Sequence, residues 1–223
     1  MGTALIIGAS RGIGHELVRQ YRADGWRVLA THRKLNDAKA LRELGAEAIR
    51  LDVTDAAASV ALADSLRAGE LDVVVINAGI FPTGDSDPAA LDEASFLDGM
   101  RTNVLAPLRL AGLLGSKVKA GGVMGFMSTS MASLGQLQMS NAPFYRCSKT
   151  ALNMVVRQQT LILRDSGVFT VALDPGWVQT DMGGADADID VATSVDGLRR
   201  VIASIDAASS GSYFAYNGKQ HSW

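Results

Sequence analysis

Apolar residues recur along the chain in short strand-like runs, each separated from the next by a segment in which apolar and polar positions alternate at helical spacing. Residues 3–7 (TALII), 27–31 (RVLAT), 48–51, 71–76 (LDVVVI), 122–127, 169–173 and 212–216 read as strands. Helical patterns cover residues 15–20, 36–44, 55–68, 91–116 and 144–165, and a last one ends near Ile205. Gly25 ends the first helix and Gly45 caps the second. The run 71–76 is almost wholly apolar, as in a strand buried on both faces. Strands alternate with helices throughout, which requires parallel strands joined by right-handed crossovers. The predicted fold is therefore α/β: one doubly wound parallel sheet of about seven strands, helices on both faces, in a single domain over residues 1–223.

The first strand-to-helix junction carries candidate chemistry. Gly8, Gly12 and Gly14 stand between strand 3–7 and the helix, in the order Gly-x3-Gly-x-Gly. Backbone N–H groups at a helix N-terminus are unpaired and sit at the positive end of the helix dipole, so they bind phosphate. Gly8 would allow the turn out of the strand, Gly12 would expose backbone to a pyrophosphate, and Gly14 would let helix and strand pack closely. The spacing differs from the commoner G-x-G-x-x-G, and alone it also fits a turn with no ligand. In such sheets ligands sit beyond the C-terminal strand ends. Gly8, His32, Asp52, Asn77, Ser128 and Pro175 all fall at that edge, so one site is expected.

Composition removes several other readings. A formal net charge of −2 with both signs mixed gives no footprint for nucleic acid and no basic patch for a membrane surface. No apolar run reaches membrane-spanning length. His15, His32 and His221 are scattered, without partners at ligand spacing, so no metal is expected. The single cysteine, Cys147, excludes an internal disulfide framework and fits a reducing compartment. Met1 leads straight into the first strand with no basic flank, and the expected location is the cytoplasm.

In the stretch YRCSK, Tyr145 and Lys149 lie four apart on a predicted helix, hence on one face. A phenol with its usual pKa near 10 is a poor acid-base group at neutral pH, and a neighbouring cation favours its phenolate. The pair could exchange a proton with a carbonyl or alcohol oxygen while hydride moves at carbon. A surface Tyr and Lys could share this spacing, but the pair follows a hydroxyl-rich strand end.

Seven pieces then stand in order: Gly8-x3-Gly12-x-Gly14, Asp52-Val53, Asn77-Ala78-Gly79, Asn103, Ser128-Thr129-Ser130, Tyr145-x3-Lys149 and Pro175-Gly176-x3-Thr180. With them the chain resembles a short-chain dehydrogenase/reductase over nearly its whole length, and the stretch DPGWVQTDMGG resembles the C-factor-like branch. The resemblance implies a Rossmann-type fold with Tyr145 as the acid-base. Lys149 would lower its pKa and hold the nicotinamide ribose, and Asn103 would order a water in a proton relay. Thr129 or Ser130 would orient the substrate oxygen. The family usually has a serine three residues before a glycine, whereas this chain reads Thr129-Ser130-Met131-Ala132, and register favours Thr129. Ser10, Arg11 and Ile13 would complete the phosphate turn. Asp52, with Val53, would meet the adenine, unless Asp52 only caps a helix or turn. Asn77, Ala78 and Gly79 would pass beneath the cofactor, while Pro175, Gly176, Val178 and Thr180 would hold its nicotinamide end.

The end of the second strand holds Thr31, His32, Arg33 and Lys34, with no acid to accept bonds from a ribose 2′-hydroxyl. Arg33, with Arg11 beside it, suits a 2′-phosphate, so NADP(H) is expected over NAD(H). The implied partner is a small carbonyl or alcohol, walled by Ile80, Phe81, Met131, Leu134, Leu137, Met139, Phe144, Trp177 and Met182 under a small, mobile lid at 183–190. Apolar residues Leu105, Leu108, Leu152, Val155, Val156 and Ile162 exceed what one sheet-facing stripe needs, and the resemblance implies a homodimer or tetramer. A second reading keeps the fold: a dinucleotide-binding sensor or signalling protein with little turnover.

Overall fold

A computed structural model describes residues 2–82 and 92–223. Seven strands, β1 (Thr3–Ile7), β2 (Arg27–His32), β3 (Glu47–Arg50), β4 (Leu71–Ile76), β5 (Val118–Met127), β6 (Phe169–Asp174) and β7 (Ser212–Ala215), form one sheet in the order β3-β2-β1-β4-β5-β6-β7. Every pairing is parallel. Strand order reverses between β1 and β4, so the crevice for a ligand opens beyond their C-terminal ends.

Helices α1 (Gly12–Ala23), α2 (Asp37–Glu43), α3 (Ala56–Asp64), α4 (Glu93–Met100), α5 (Ala106–Leu114), α6 (Pro143–Leu163) and α7 (Val191–Ser204) connect the strands. Side chains alternate across the sheet, and two cores result. Leu5 and Ile7 of β1 pack with Leu110, Leu114, Leu152 and Val156 of α5 and α6. Ala4 and Ile6 turn the other way, toward Leu17 and Val18 of α1 and Val195 and Leu198 of α7. Aspartates open three helices: Asp55 accepts from Ala58 N, Asp92 from Ala94 N and Asp190 from Thr193 N. Each such cap contributes about 1 kcal/mol.

The predicted helix over 91–116 is not continuous. Its start at Leu91 lies outside the described residues; from Glu93 onward α4 and α5 are separated by a π turn, Arg101–Leu105. Pro107 has no N–H to give the Asn103 carbonyl four residues earlier, and Ala106 N reaches back five residues to Arg101 O instead. The predicted helix over 55–68 stops at Asp64. Residues 183–190, expected to be mobile, belong to a folded segment: Val178 bridges to Ile189, and Trp177 Nε1 donates to Gly183 O at 2.7 Å. Its backbone finds partners within the segment itself. The apolar residues of the two long helices divide: Leu152, Val155 and Val156 are core, whereas Leu105, Leu108 and Ile162 face outward. Among the described residues no helix is long and apolar enough to cross a membrane.

Candidate active site

The glycine turn is shaped by what cannot fit there. Gly8 has φ +83°, and its N–H donates to Thr31 Oγ1 at 2.9 Å. A Cβ on Gly14 would lie 2.1 Å from Gly8 O and 2.7 Å from Asn77 Nδ2, so only glycine lets α1 seat against the strand end. Gly12 has φ +53° and opens α1. No side chain caps this helix, and its first turn holds no acid. The free N–H groups and the dipole end are thus left to an external anion. Asn77 Nδ2 donates to Gly8 O at 2.7 Å, binding the end of β4 to the turn. Asn77 is thus a brace as well as a cleft residue.

A cleft of about 290 Å³ opens at this edge of the sheet. Gly8, Ser10, Arg11, Gly12 and Ile13 line one end, and Asn77, Ala78 and Gly79 lie along it. Arg33, Asp52 and Val53 line it too, as do Tyr145, Lys149, Pro175 and Thr180. Asp52 Oδ1 accepts from Thr54 Oγ1 at 2.7 Å and Thr54 N at 2.9 Å. These bonds, with Arg33 and Arg101 further off, hold its carboxyl below the usual range. Asp52 is a turn residue facing the cleft, and the helix cap next to it is Asp55. Arg11 is engaged with Asp181 at 2.6 Å, an exposed ion pair. Arg33 is the cation at the end of β2 that lines the cleft.

Gly14, Gly176 and Val178 do not line the cleft, and each has a structural task. Gly176 turns the chain at φ +78° where a Cβ would meet Ile189 Cδ1 at 2.5 Å, and Val178 makes the bridge to Ile189.

Tyr145 and Lys149, on the first turns of α6, are both buried. Lys149 Nζ donates to Met127 O at 2.9 Å and lies 5.8 Å from the centre of the Tyr145 ring. Burial lowers the ammonium pKa to about 8. The phenol moves the other way: burial first, then the Asp174 carboxylate, push it above its ordinary value. The lowering of this phenol expected from Lys149 is not among the influences on it, of which burial is the first. Phe81 covers the ring, with centroids 4.6 Å apart.

Asn103 lies in the π turn, fully buried, and clamps the chain after β4. Its Oδ1 accepts from Ile80 N, and its Nδ2 donates to Ile80 O, both at 2.9 Å, and to Ser148 Oγ at 3.0 Å. A Cβ on Gly79 would stand 3.2 Å from both Asn103 Oδ1 and Lys149 Nζ. The π turn thus aims the amide at the loop beside Lys149.

The hydroxyl cluster is arranged in a way the sequence did not show. Ser128 lines the cleft, and neither Thr129 nor Ser130 does. Yet Ser128 Oγ donates to Asn153 Oδ1 at 2.7 Å and is committed there. Thr129 Oγ1 accepts from Met131 N at 3.3 Å, which leaves its own proton unclaimed among the described residues, while Ser130 is exposed on a single 3₁₀ turn. Tyr213 of β7, which sequence reasoning passed over, donates its buried hydroxyl to Thr129 O. Only the aromatic character of that strand could have marked it.

Fold and site together define a dinucleotide-binding α/β protein with a Tyr/Lys pair at the end of its cleft. The sequence profile described as short chain dehydrogenase matches residues 2–189. Over 168 residues the chain is 38% identical to C-signal of Myxococcus xanthus, covering 73% of this chain and 99% of that protein. The NADPH-bound carbonyl reductase from chicken fatty liver superposes with a TM-score of 0.91 at 31% identity, covering 100% of this chain and 99% of that one. A carbonyl reductase of Pseudomonas aeruginosa PAO1 in complex with NADP gives 0.88 at 32% identity, with 100% of both chains covered. The chain belongs to the short-chain dehydrogenase/reductase family of oxidoreductases, on its C-factor-like branch.

Proposed function

We propose that residues 1–223 act as one NADP(H)-dependent oxidoreductase domain of the carbonyl reductase type, with Tyr145 as the acid-base. One observation carries the reading: the uncapped glycine turn, Arg33 and the buried Tyr145/Lys149 pair share one cleft. Bound NADP(H) would supply or accept the hydride. The glycine turn would hold its pyrophosphate, Asp52 and Val53 its adenosine, and Arg33 its 2′-phosphate. The NADP and NADPH found in the solved relatives support that assignment. Lys149, with one donor spent on Met127 O, has two more for ribose hydroxyls. Gly176 and Val178 would shape the nicotinamide end through the backbone, and Asn103 would hold the Ile80 loop beside Lys149.

Burial keeps the Tyr145 phenol protonated, which is the form that reduction of a carbonyl needs: it gives its proton to the oxyanion as that forms. Thr129, with a hydroxyl proton to offer, would orient the substrate oxygen, with Ser130 next to it. A panel of ketones and aldehydes with NADPH tests the reading, and substrate-dependent loss of NADPH absorbance is the expected result. The exposed Leu105 of the π turn, Leu108 of α5 and Met154, Leu161 and Ile162 of α6 support a homodimer through these helices. The lone cysteine supports a cytoplasmic site of action.

The second reading, a dinucleotide-responsive signalling protein, is favoured by the 38% identity to C-signal and by the position of Thr129 and Ser130 off the cleft wall. It requires a cofactor-dependent output that persists when the panel gives no turnover.

A further inference from the structure

Asp174 ends β6 and lies outside the cleft lining, buried. Its Oδ1 accepts from Gly176 N at 3.1 Å, and its Oδ2 meets His221 Nε2 at 2.8 Å. The two side chains are only 6% and 9% exposed, so this is an interior pair. The other imidazole nitrogen, Nδ1, stands 3.0 Å from Gln136 Oε1, and the ring packs on Tyr213 at 4.7 Å. The next residues continue the attachment. Ser133 Oγ donates to Ser222 O at 2.7 Å, and Leu134 N to Trp223 O at 2.8 Å. The loop between β5 and α6 is therefore held by residues 221–223, and those are held through His221 to the end of β6.

We propose that Asp174 and His221 are a positioning pair for the active site, tying the loop that bears Thr129 and Ser130 to β6 and bringing the Asp174 carboxyl to bear on Tyr145. The inference rests on the reading of Tyr145 as the acid-base group. Asp174 acts on the Tyr145 phenol in the same direction as burial, and on Tyr213 likewise. Among the described residues, the titratable groups that face this region are Tyr145 and Lys149 on α6, Asp174 on β6, Tyr213 on β7 and His221 after it. A carboxylate here favours the protonated phenol, the donor in reduction, and opposes the phenolate that alcohol oxidation needs. His221 makes a buried carboxylate tolerable by bonding it. The pair would thus bias the site toward reduction.

Asp174→Asn removes the charge and keeps the shape. In protein carrying fluorotyrosine, which ionises closer to neutral pH than tyrosine, fluorine NMR follows Tyr145; its signal is the one lost in Tyr145→Phe. The Tyr145 midpoint should fall by about half a pH unit or more in Asp174→Asn. Coincident midpoints overturn the inference. His221→Ala leaves the carboxylate without its partner and should raise the midpoint, so a response to neither variant is decisive even if one folds poorly. In turnover, the pH profile of alcohol oxidation with NADP+ should move to lower pH in Asp174→Asn by the same amount. A parent protein inactive on every ketone, aldehyde and alcohol defeats the proposed function instead, and the NMR comparison still decides the pair.

Discussion

The two ends of the cleft are built differently. At the dinucleotide end, position is enforced by backbone: Gly14 fits because a Cβ there would lie 2.1 Å from Gly8 O, and Thr31 and Asn77 bond the turn directly. At the substrate end, position comes from ordinary side chains reaching across the chain, such as Ser133 to Ser222 and Tyr213 to Thr129. The first kind of constraint admits one residue type, whereas the second spreads over many replaceable contacts. The chemistry proposed for Tyr145 would depend on both, since α6 leaves the substrate-end loop and brings the phenol to the dinucleotide cleft.

The largest expected effect separates chemistry from binding. Tyr145→Phe should lower turnover by ~10²–10⁴ while NADPH affinity, measured by fluorescence titration, stays within about twofold. Nearly full activity would end the acid-base assignment and leave the fold untouched.

Gly14→Ala probes the rigid end. The added methyl must displace Gly8 O or the Asn77 amide, both bonded in place. A loss of about 1–3 kcal/mol is expected, together with most NADPH affinity, read by thermal melting with and without NADPH. A melting point equal to the parent's would show that the turn yields more than its geometry implies.

Lys149→Met sits where the two ends meet. A lysine depressed from 10.5 to about 8 carries a burial cost on its charged form of roughly 3 kcal/mol. The sign follows from proton linkage. Below pH 8 the folded protein holds the costly charge, and between about 8 and 10.5 the unfolded chain binds more protons, so native stability rises with pH. The protein without NADP(H) should therefore melt higher as Lys149→Met at pH 7, and the advantage should vanish as pH approaches 10.5, while turnover is lost. A destabilised variant at pH 7 would mean that the bond to Met127 O outweighs desolvation.

The smallest effect concerns cofactor choice. Arg33→Ala should weaken NADPH binding by about tenfold and leave NADH little changed, as expected for one charge-assisted contact to a 2′-phosphate. Arg11→Ala should matter less, because Arg11 is already paired with Asp181. Equal losses for both dinucleotides would move the 2′-phosphate away from Arg33.

Much of the dinucleotide end was legible because its requirements are written in residue types. Glycines at Gly8, Gly12 and Gly14, an apolar β4 followed by Asn77 and a basic end to β2 each state a local constraint, and all fall in the cleft or directly behind it. The substrate end was legible only in part. Tyr145 and Lys149 could be paired from helical spacing, but the direction of the Tyr145 shift could not, since desolvation and the charge of Asp174 depend on what packs around the ring. Nor could the spacing show that Pro107 opens a π turn that sends the Asn103 amide to Ile80.

By itself, then, the sequence determined the alternation of strands and helices, the parallel sheet and the residue types at its C-terminal edge, because periodicity and glycine sterics act over a few neighbouring residues. Only the tertiary structure decided which hydroxyl is spent and which is available, that Arg11 is engaged by Asp181, and that Asp174 is met by His221. Those are contacts between groups far apart in the chain, and their strength comes from burial, which no local pattern records.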